Sequence, residues 1–286
     1  MDLWMIYALM ATVFIGFAWF FQKVVAEQKT LSADSFLFYS YFSLAFFWIS
    51  SLIVLQESFE MTLEVFMYGA MITGVYIAIL QSRIKCLKYV DSSTYFINYR
   101  IFSSILLLIF GQILFTEVIS LQEYVWIFLW FLIFFLLLEK KEKKESKSDF
   151  VKWIYYILFG VVLITVAQLL SKSFVVSGHN IASLFVVQWF VGMIIMRLQQ
   201  KEGKKIWKVT NKKEILFLMI NGIFFYCSAL FNTLAFQQGD VAIVYKIISY
   251  SLFIPIILSV IFYKEKITVK KAVAFILTIV SILLFV

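Results

Sequence analysis

The stretch FTEVISLQE, Phe115 to Glu123, has a counterpart in YKEKITVKK, Tyr263 to Lys271. Both open on an aromatic residue, and at a constant offset of 148 Glu117 matches Glu265, Ile119 matches Ile267 and Ser120 matches Thr268. Upstream, Ala18 matches Ala167, Lys23 matches Lys172 and Asp91 matches Asp240 at an offset of 149, so one deletion between the two groups of markers reconciles the spacings. The same spacing at both ends of a unit half the length of the chain marks an internal repeat.

The sequence between those markers is apolar. Of the 286 residues 63% are hydrophobic and only 15% charged, more apolar surface than a soluble domain of this length can hide. Lipid is therefore the solvent for most of the chain. A bilayer core of roughly 30 Å takes about 20 apolar residues per helix. Cutting the apolar runs at charge clusters gives ten segments, near 3–22, 33–55, 62–82, 91–114, 121–138, 151–171, 180–198, 214–237, 240–263 and 268–286. The expected fold is an all-α integral membrane protein of ten transmembrane helices in two five-helix repeats, residues 1–139 and 151–286, joined by the charged linker 140–150. Five is odd, so the second repeat enters the membrane from the opposite face, the inverted arrangement from which many transporters derive alternating access about a midplane site.

The first apolar run, beginning near Leu3, lacks a basic leader and a small-residue cleavage site, which predicts a retained helix and not a signal peptide. The charged connections EKKEKKESKSDF, Glu139 to Phe150, and QQKEGKKIWKVTNKK, Gln199 to Lys213, read as topology anchors. Cys86 and Cys227 have no metal or redox spacing and read as two free thiols. The net charge of +8 sits in short gaps between apolar runs, a membrane pattern and not a nucleic-acid-binding one.

At this point the chain resembles the drug/metabolite transporter superfamily in its ten-helix EamA-type branch. FTEVIS and YKEKIT are similar to the short aromatic-or-Gly, x, Glu, x, apolar, Ser/Thr signature that precedes the last helix of each half, with Thr116 and Lys264 where the family usually has Gly. FIGFAWFFQK, Phe14 to Lys23, is similar to the family's Trp-Gly opening with a downstream Lys, with Ile15 at the Trp position. The resemblance covers the whole chain and implies a permease for small metabolites, without fixing the substrate.

Of the 25 Lys and Arg, 22 fall in odd-numbered connections and only Lys172 in an even one, while Arg100 and Lys246 fall inside helices. That bias predicts odd connections in the cytoplasm and both termini outside a plasma (inner) membrane, whereas the resemblance implies cytoplasmic termini.

All 17 acidic residues lie at helix ends or in connections, which argues against export of lipophilic cations by a buried carboxylate. The buried charges are basic. Arg100, nine residues past Asp91, is placed roughly 14 Å deep, and Lys246, six past Asp240, roughly 9 Å deep, within reach of snorkelling. A central Arg costs about 3 kcal/mol by insertion scales, so it should face the interior and find a partner. Two cations without a buried counter-charge point to a substrate bearing carboxylate or phosphate; the alternative for Arg100 is hydrogen bonding to helix carbonyls or hydroxyls such as Ser103 and Ser104.

Tyr95, Asn98, Tyr99 and Phe102 form an i, i+3, i+4, i+7 stripe, and Lys246, Ser249, Tyr250 and Phe253 repeat it in the ninth segment. Asn221, Ser228 and Asn232 share a face of the eighth. These polar residues are the expected substrate-binding set beside Arg100 and Lys246. Pro255, the one proline, frees the Ser251 carbonyl and makes the ninth segment a candidate hinge. His179, among Ser177, Gly178 and Asn180, reads as a turn residue.

No phosphate-binding loop, metal cluster or nucleophile arrangement is visible, so neither a cofactor nor enzymatic chemistry is expected. The expected partners are a small-molecule substrate, the lipid bilayer and a second copy of the chain in a homodimer. The leading expectation is a secondary transporter, whether exchanger, exporter or facilitator, for a small metabolite with a negative group; the alternatives are a lipid or polyprenyl-carrier translocator and a non-transporting scaffold.

Overall fold

The computed structural model describes residues 2–27, 35–44, 59–90, 92–116, 147–199, 212–264 and 268–283, with isolated positions between 125 and 136. Its elements are α1 (Leu3–Glu27), α2 (35–44), α3 (Leu63–Cys86), α4 (Ser92–Phe115), α5 (Lys147–Val176), α6 (Ile181–Leu198), α7 (Lys212–Gln238), α8 (Val241–Ser249), a 3-10 turn (Tyr250–Leu252), α9 (Phe253–Tyr263) and α10 (Val269–Leu283). No strand occurs among the described residues. Hydrocarbon offers no hydrogen-bond partner to a peptide group, and a helix satisfies its own backbone within one segment. Polar residues open two of these helices: the Thr62 hydroxyl accepts from the Val65 N–H at the start of α3, and the Asn180 side chain accepts from the Ser183 N–H at the start of α6.

Seven runs among the described residues are long and apolar enough to cross a membrane: α1, α3, α4, α5, α6, α7 and the continuous run from α8 through α9. The chain is a multi-pass membrane protein. Of the other expected segments, the second is helical over 35–44, the fifth is helical at its isolated described positions, and the tenth is helical as α10.

Three helices run further than their apolar runs. With α1 reaching Glu27, α3 reaching Cys86 and α5 reaching Val176, Lys23, Arg83 and Lys172 lie inside helices and are buried, a correction to their placement in connections. Cutting at every charge misses residues whose charge finds a partner inside the protein. Lys172 Nζ donates to the carbonyls of Phe236 (3.0 Å) and Gly239 (2.8 Å) at the end of α7, and Lys23 Nζ lies 3.5 Å from the Leu87 carbonyl just past α3. Helix ends leave carbonyls without intrahelical donors and carry the negative end of the dipole, so each lysine sits where a cation is favoured. With these residues reassigned, no Lys or Arg remains in an even connection.

Thr116, after α4, and Lys264, after α9, are left-handed, at φ 56° and 53°, and they are the positive-φ non-glycine residues among those described. Such a backbone favours glycine at both positions. The residues following each, 117–124 and 265–267, lie outside the described set, and with them the Glu117 and Glu265 markers.

In packing, α1 lies mainly on α7 and α5 mainly on α3, with α3 also against α6, α4 against α5, and the α8–α9 run against α1. Contact is close enough to require glycine where α3 meets α6: a Cβ on Gly69 would lie 2.5 Å from Val187 Cγ1. Between α8 and α9 the backbone tightens without leaving right-handed helical angles, three residues before Pro255. Proline lacks the N–H that Ser251 would accept from, and the tighter turn accommodates the loss.

Candidate functional site

Two stripes of identical spacing face a common cavity: Tyr76, Ile79, Leu80 and Arg83 on α3, and Phe225, Ser228, Ala229 and Asn232 on α7. Each follows i, i+3, i+4, i+7, one face of a helix. Ile15, Ala18 and Trp19 of α1 and Ile164 and Gln168 of α5 close two further sides, and Arg100 of α4 and Tyr245 of α8 complete the wall. The cavity volume is about 30 Å³, room for a water or two.

Both arginines are buried, Arg83 at 3% and Arg100 at 1% of full exposure, and both stack on one indole. Arg83 Cζ lies 4.7 Å from the Trp19 ring centre and Arg100 Cζ 4.5 Å, so the two cations are within twice that distance of each other. Arg83 also lies over Tyr99 at 4.8 Å, donates from Nη1 to Gln22 Oε1 (2.9 Å), and has Nε 3.4 Å from the Tyr95 hydroxyl. Arg100 lies over Tyr245 at 4.5 Å and donates from Nη2 to the Ser251 hydroxyl (2.9 Å) and the Ile248 carbonyl (3.3 Å). Its Nε has no hydrogen-bond partner among the described residues. Phe96 stacks on Trp19 at 4.8 Å and 7°, fixing the indole that both cations share.

Among the described residues, neither arginine pairs with a carboxylate and no acid lines the cavity. Each aromatic contact offsets about 0.5–2 kcal/mol of the cost of a desolvated cation, but it does not cancel the charge. The cavity therefore carries a positive potential in a low-dielectric wall, with donor capacity left over on Arg100. Tyr245 is held by a 3.0 Å hydroxyl–hydroxyl hydrogen bond to Ser103, which also donates to the Tyr99 carbonyl. The hydroxyl partner of Arg100 is thus Ser251, across the interface on the 3-10 turn, while Ser103 positions the ring beneath it.

At the opposite wall Asn232 Nδ2 donates to Gln168 Oε1 (2.9 Å), and Gln168 Nε2 to the Tyr76 hydroxyl (3.3 Å). Tyr76 and Phe225 meet edge to face, centroids 5.8 Å apart at 90°.

Of the residues singled out from sequence, Arg100, Ser228 and Asn232 line this cavity, and Tyr95 and Tyr99 surround Arg83 behind it. Asn98 is buried and donates to the Thr94 carbonyl; Ser249 is buried and donates to the Tyr245 carbonyl. Asn221 donates to the Ser40 hydroxyl at 2.9 Å, away from the lining. Lys246 is half-buried and lies outside the lining, because its neighbour Tyr245 takes the inward position about 100° round the helix. Tyr250 is half-buried beside Phe253, whose ring meets Phe275 of α10, and Pro255 is buried in the first turn of α9. Arg83, Trp19 and Gln168 were not singled out. The repeat reaches Arg83, which lies 149 residues before Asn232; Trp19 and Gln168 stand at the same spacing from each other, so neither leads to the other.

Residues 151–286 match the EamA-like transporter family. A solved crystal structure shares the fold at 13% identity, with a TM-score of 0.68 over 96% of this chain and 97% of that chain, and 27 solved chains match in all. No curated protein matches the chain. The matched residues supply Ile164, Gln168, the α7 stripe and Tyr245 to the cavity, and residues before them supply both arginines and Trp19.

Proposed function

We propose that the chain is a secondary transporter that carries a small metabolite with a negative group, by alternating access about this cavity. The observation that carries the reading is the buried arginine pair with no described carboxylate beside it: a membrane protein that keeps two costly cations facing a cavity has an anion to bind there.

The architecture of the reading is two inverted five-helix repeats, 1–139 and 151–286, joined by 140–150. Six pairs of lining residues support it, each separated by 149: Ile15 with Ile164, Trp19 with Gln168, Tyr76 with Phe225, Ile79 with Ser228, Leu80 with Ala229, and Arg83 with Asn232. The lysine–carbonyl contacts add to this, Lys23 to Leu87 and Lys172 to Phe236 each spanning 64 residues, as do the two left-handed residues Thr116 and Lys264. A cavity of about 30 Å³ is far below the roughly 300–1,000 Å³ of small-molecule pockets, so on this reading the cavity must widen to admit a substrate. We infer from the charge bias that both termini lie outside; a reporter fused after Val286 should be active only in an oxidising exterior, and cytoplasmic fluorescence there would refute that orientation.

The test of the function is a thermal-shift screen of the purified protein against amino acids, sugar phosphates, nucleotides and lipophilic cations. Anionic compounds should stabilise the wild type, Arg100→Gln should remove the shift, and Arg100→Lys should recover part of it, since a point charge lacks the planar fork. Stabilisation by cations alone, or a shift undiminished in Arg100→Gln, overturns the reading.

A further inference from the structure

The six lining pairs are not chemically equal. Three keep their character: isoleucine with isoleucine, tyrosine with phenylalanine, leucine with alanine. The other three change. Trp19, Ile79 and Arg83 of the first half stand against Gln168, Ser228 and Asn232 of the second. Two of these positions touch in both halves, Arg83 stacking on Trp19 and Asn232 hydrogen-bonding Gln168. One half therefore presents a cation on an aromatic face, and the other presents amides and a hydroxyl.

We propose that Arg83 is a second anion-binding residue, and that the cavity has two unlike poles: Arg83 and Arg100 over Trp19 take the carboxylate or phosphate of the substrate, and Asn232, Gln168 and Ser228 take an uncharged hydrogen-bonding group at its other end. The substrate class is a monoacid with a neutral polar far end, bound in one orientation. This rests on the transporter reading above. Guanidinium forks accept either acid group. Primary amides and a hydroxyl both donate and accept, which suits an amide, hydroxyl or carbonyl and gives no counter-charge to a second acid. Arg83 lies in the last turn of α3 and Asn232 near the end of α7, which in an inverted repeat face opposite sides of the membrane. The orientation is thus set along the membrane normal, with the acid toward the side of the third connection.

The experiment measures binding to the purified full chain of four probes: glutaramate, glutarate, glutaramide and glycerol 3-phosphate. Glutaramate or glycerol 3-phosphate should bind best in the wild type, and which of the two leads separates a carboxylate from a phosphate preference. The better one should weaken about tenfold or more in Arg83→Gln and in Arg100→Gln, and less in Arg83→Lys. Placing a cation at the second pole with Asn232→Arg should shift preference to glutarate. Loss in Arg100→Gln with unchanged affinity in Arg83→Gln overturns this proposal and leaves the transporter reading standing. Wild-type affinity retained in both glutamine variants, or binding of glutaramide alone or of none of the four, overturns both. A wild-type preference for glutarate, or an Asn232→Arg variant that still prefers glutaramate, overturns the two-pole assignment. Where Arg83→Gln does not fold, the Asn232→Arg preference decides, because a diacid then needs a cation at each end.

Discussion

Replacing Trp19 with leucine removes the one surface that two buried cations share. The indole is 3% exposed and lies 4.7 Å from Arg83 Cζ, 4.5 Å from Arg100 Cζ, 4.8 Å from the Phe96 ring and 5.9 Å from the Tyr99 ring. Desolvated cation–π contacts contribute about 1–2 kcal/mol each and aromatic pairs about 0.5–1.5, so Trp19→Leu should cost about 4 kcal/mol. A total of that size has many possible origins, and double-mutant cycles isolate the pairs. Trp19→Leu combined with Arg83→Met, and separately with Arg100→Met, should each give a favourable coupling of about 1–2 kcal/mol. The cycle between the two arginines should have the opposite sign, since two cations no more than about 9 Å apart at an effective dielectric near 20 repel by roughly 2 kcal/mol or more. Equilibrium unfolding in mixed micelles, followed by circular dichroism, reads all three. Couplings below about 0.5 kcal/mol for both Trp19 pairs would refute the shared-indole account.

Other outcomes follow from the backbone and the packing. Lys264→Gly should raise stability by about 0.5–1 kcal/mol, and Thr116→Gly likewise, because each residue holds a left-handed angle that glycine adopts freely; a loss of stability in both variants on micelle unfolding would contradict this. Gly69→Ala should cost about 1–3 kcal/mol by driving a methyl into Val187, visible as a lowered melting temperature that Val187→Ala restores in part. Lys172→Met should destabilise by about 1–3 kcal/mol on micelle unfolding, as the Phe236 and Gly239 carbonyls lose their charged donor.

Much of the fold was legible because lipid imposes a simple rule: runs of about 20 apolar residues must be helices. The same rule hid part of the site. Cutting the third segment at Ser82 put Arg83 in a loop, although the helix continues to Cys86 and folds its guanidinium back over Trp19 and Tyr99. Arg100 was legible from depth alone, being too far from either end to reach water. Lys246 shows the reverse case: its stripe with Ser249, Tyr250 and Phe253 is periodic, but periodicity gives a face without saying what that face meets, and Tyr245 holds the inward position. The α7 pair Ser228 and Asn232 was found from its polar character in an apolar run. Applying the 149-residue spacing to it leads directly to Ile79 and Arg83.

The 3-10 turn at Tyr250–Leu252 makes the α8–α9 span longer than an unbroken α-helix of the same residues. A residue rises about 2.0 Å in 3-10 geometry and 1.5 Å in an α-helix, so rewinding these three would shorten the span by about 1.5 Å. The tightened turn supplies the Ser251 hydroxyl that Arg100 holds, with the Ile248 carbonyl just before it. An anion that draws Arg100 toward itself would release both groups and remove part of what keeps the turn tight. Ligand charge would then be converted into a stroke of the span against α1, on which it packs.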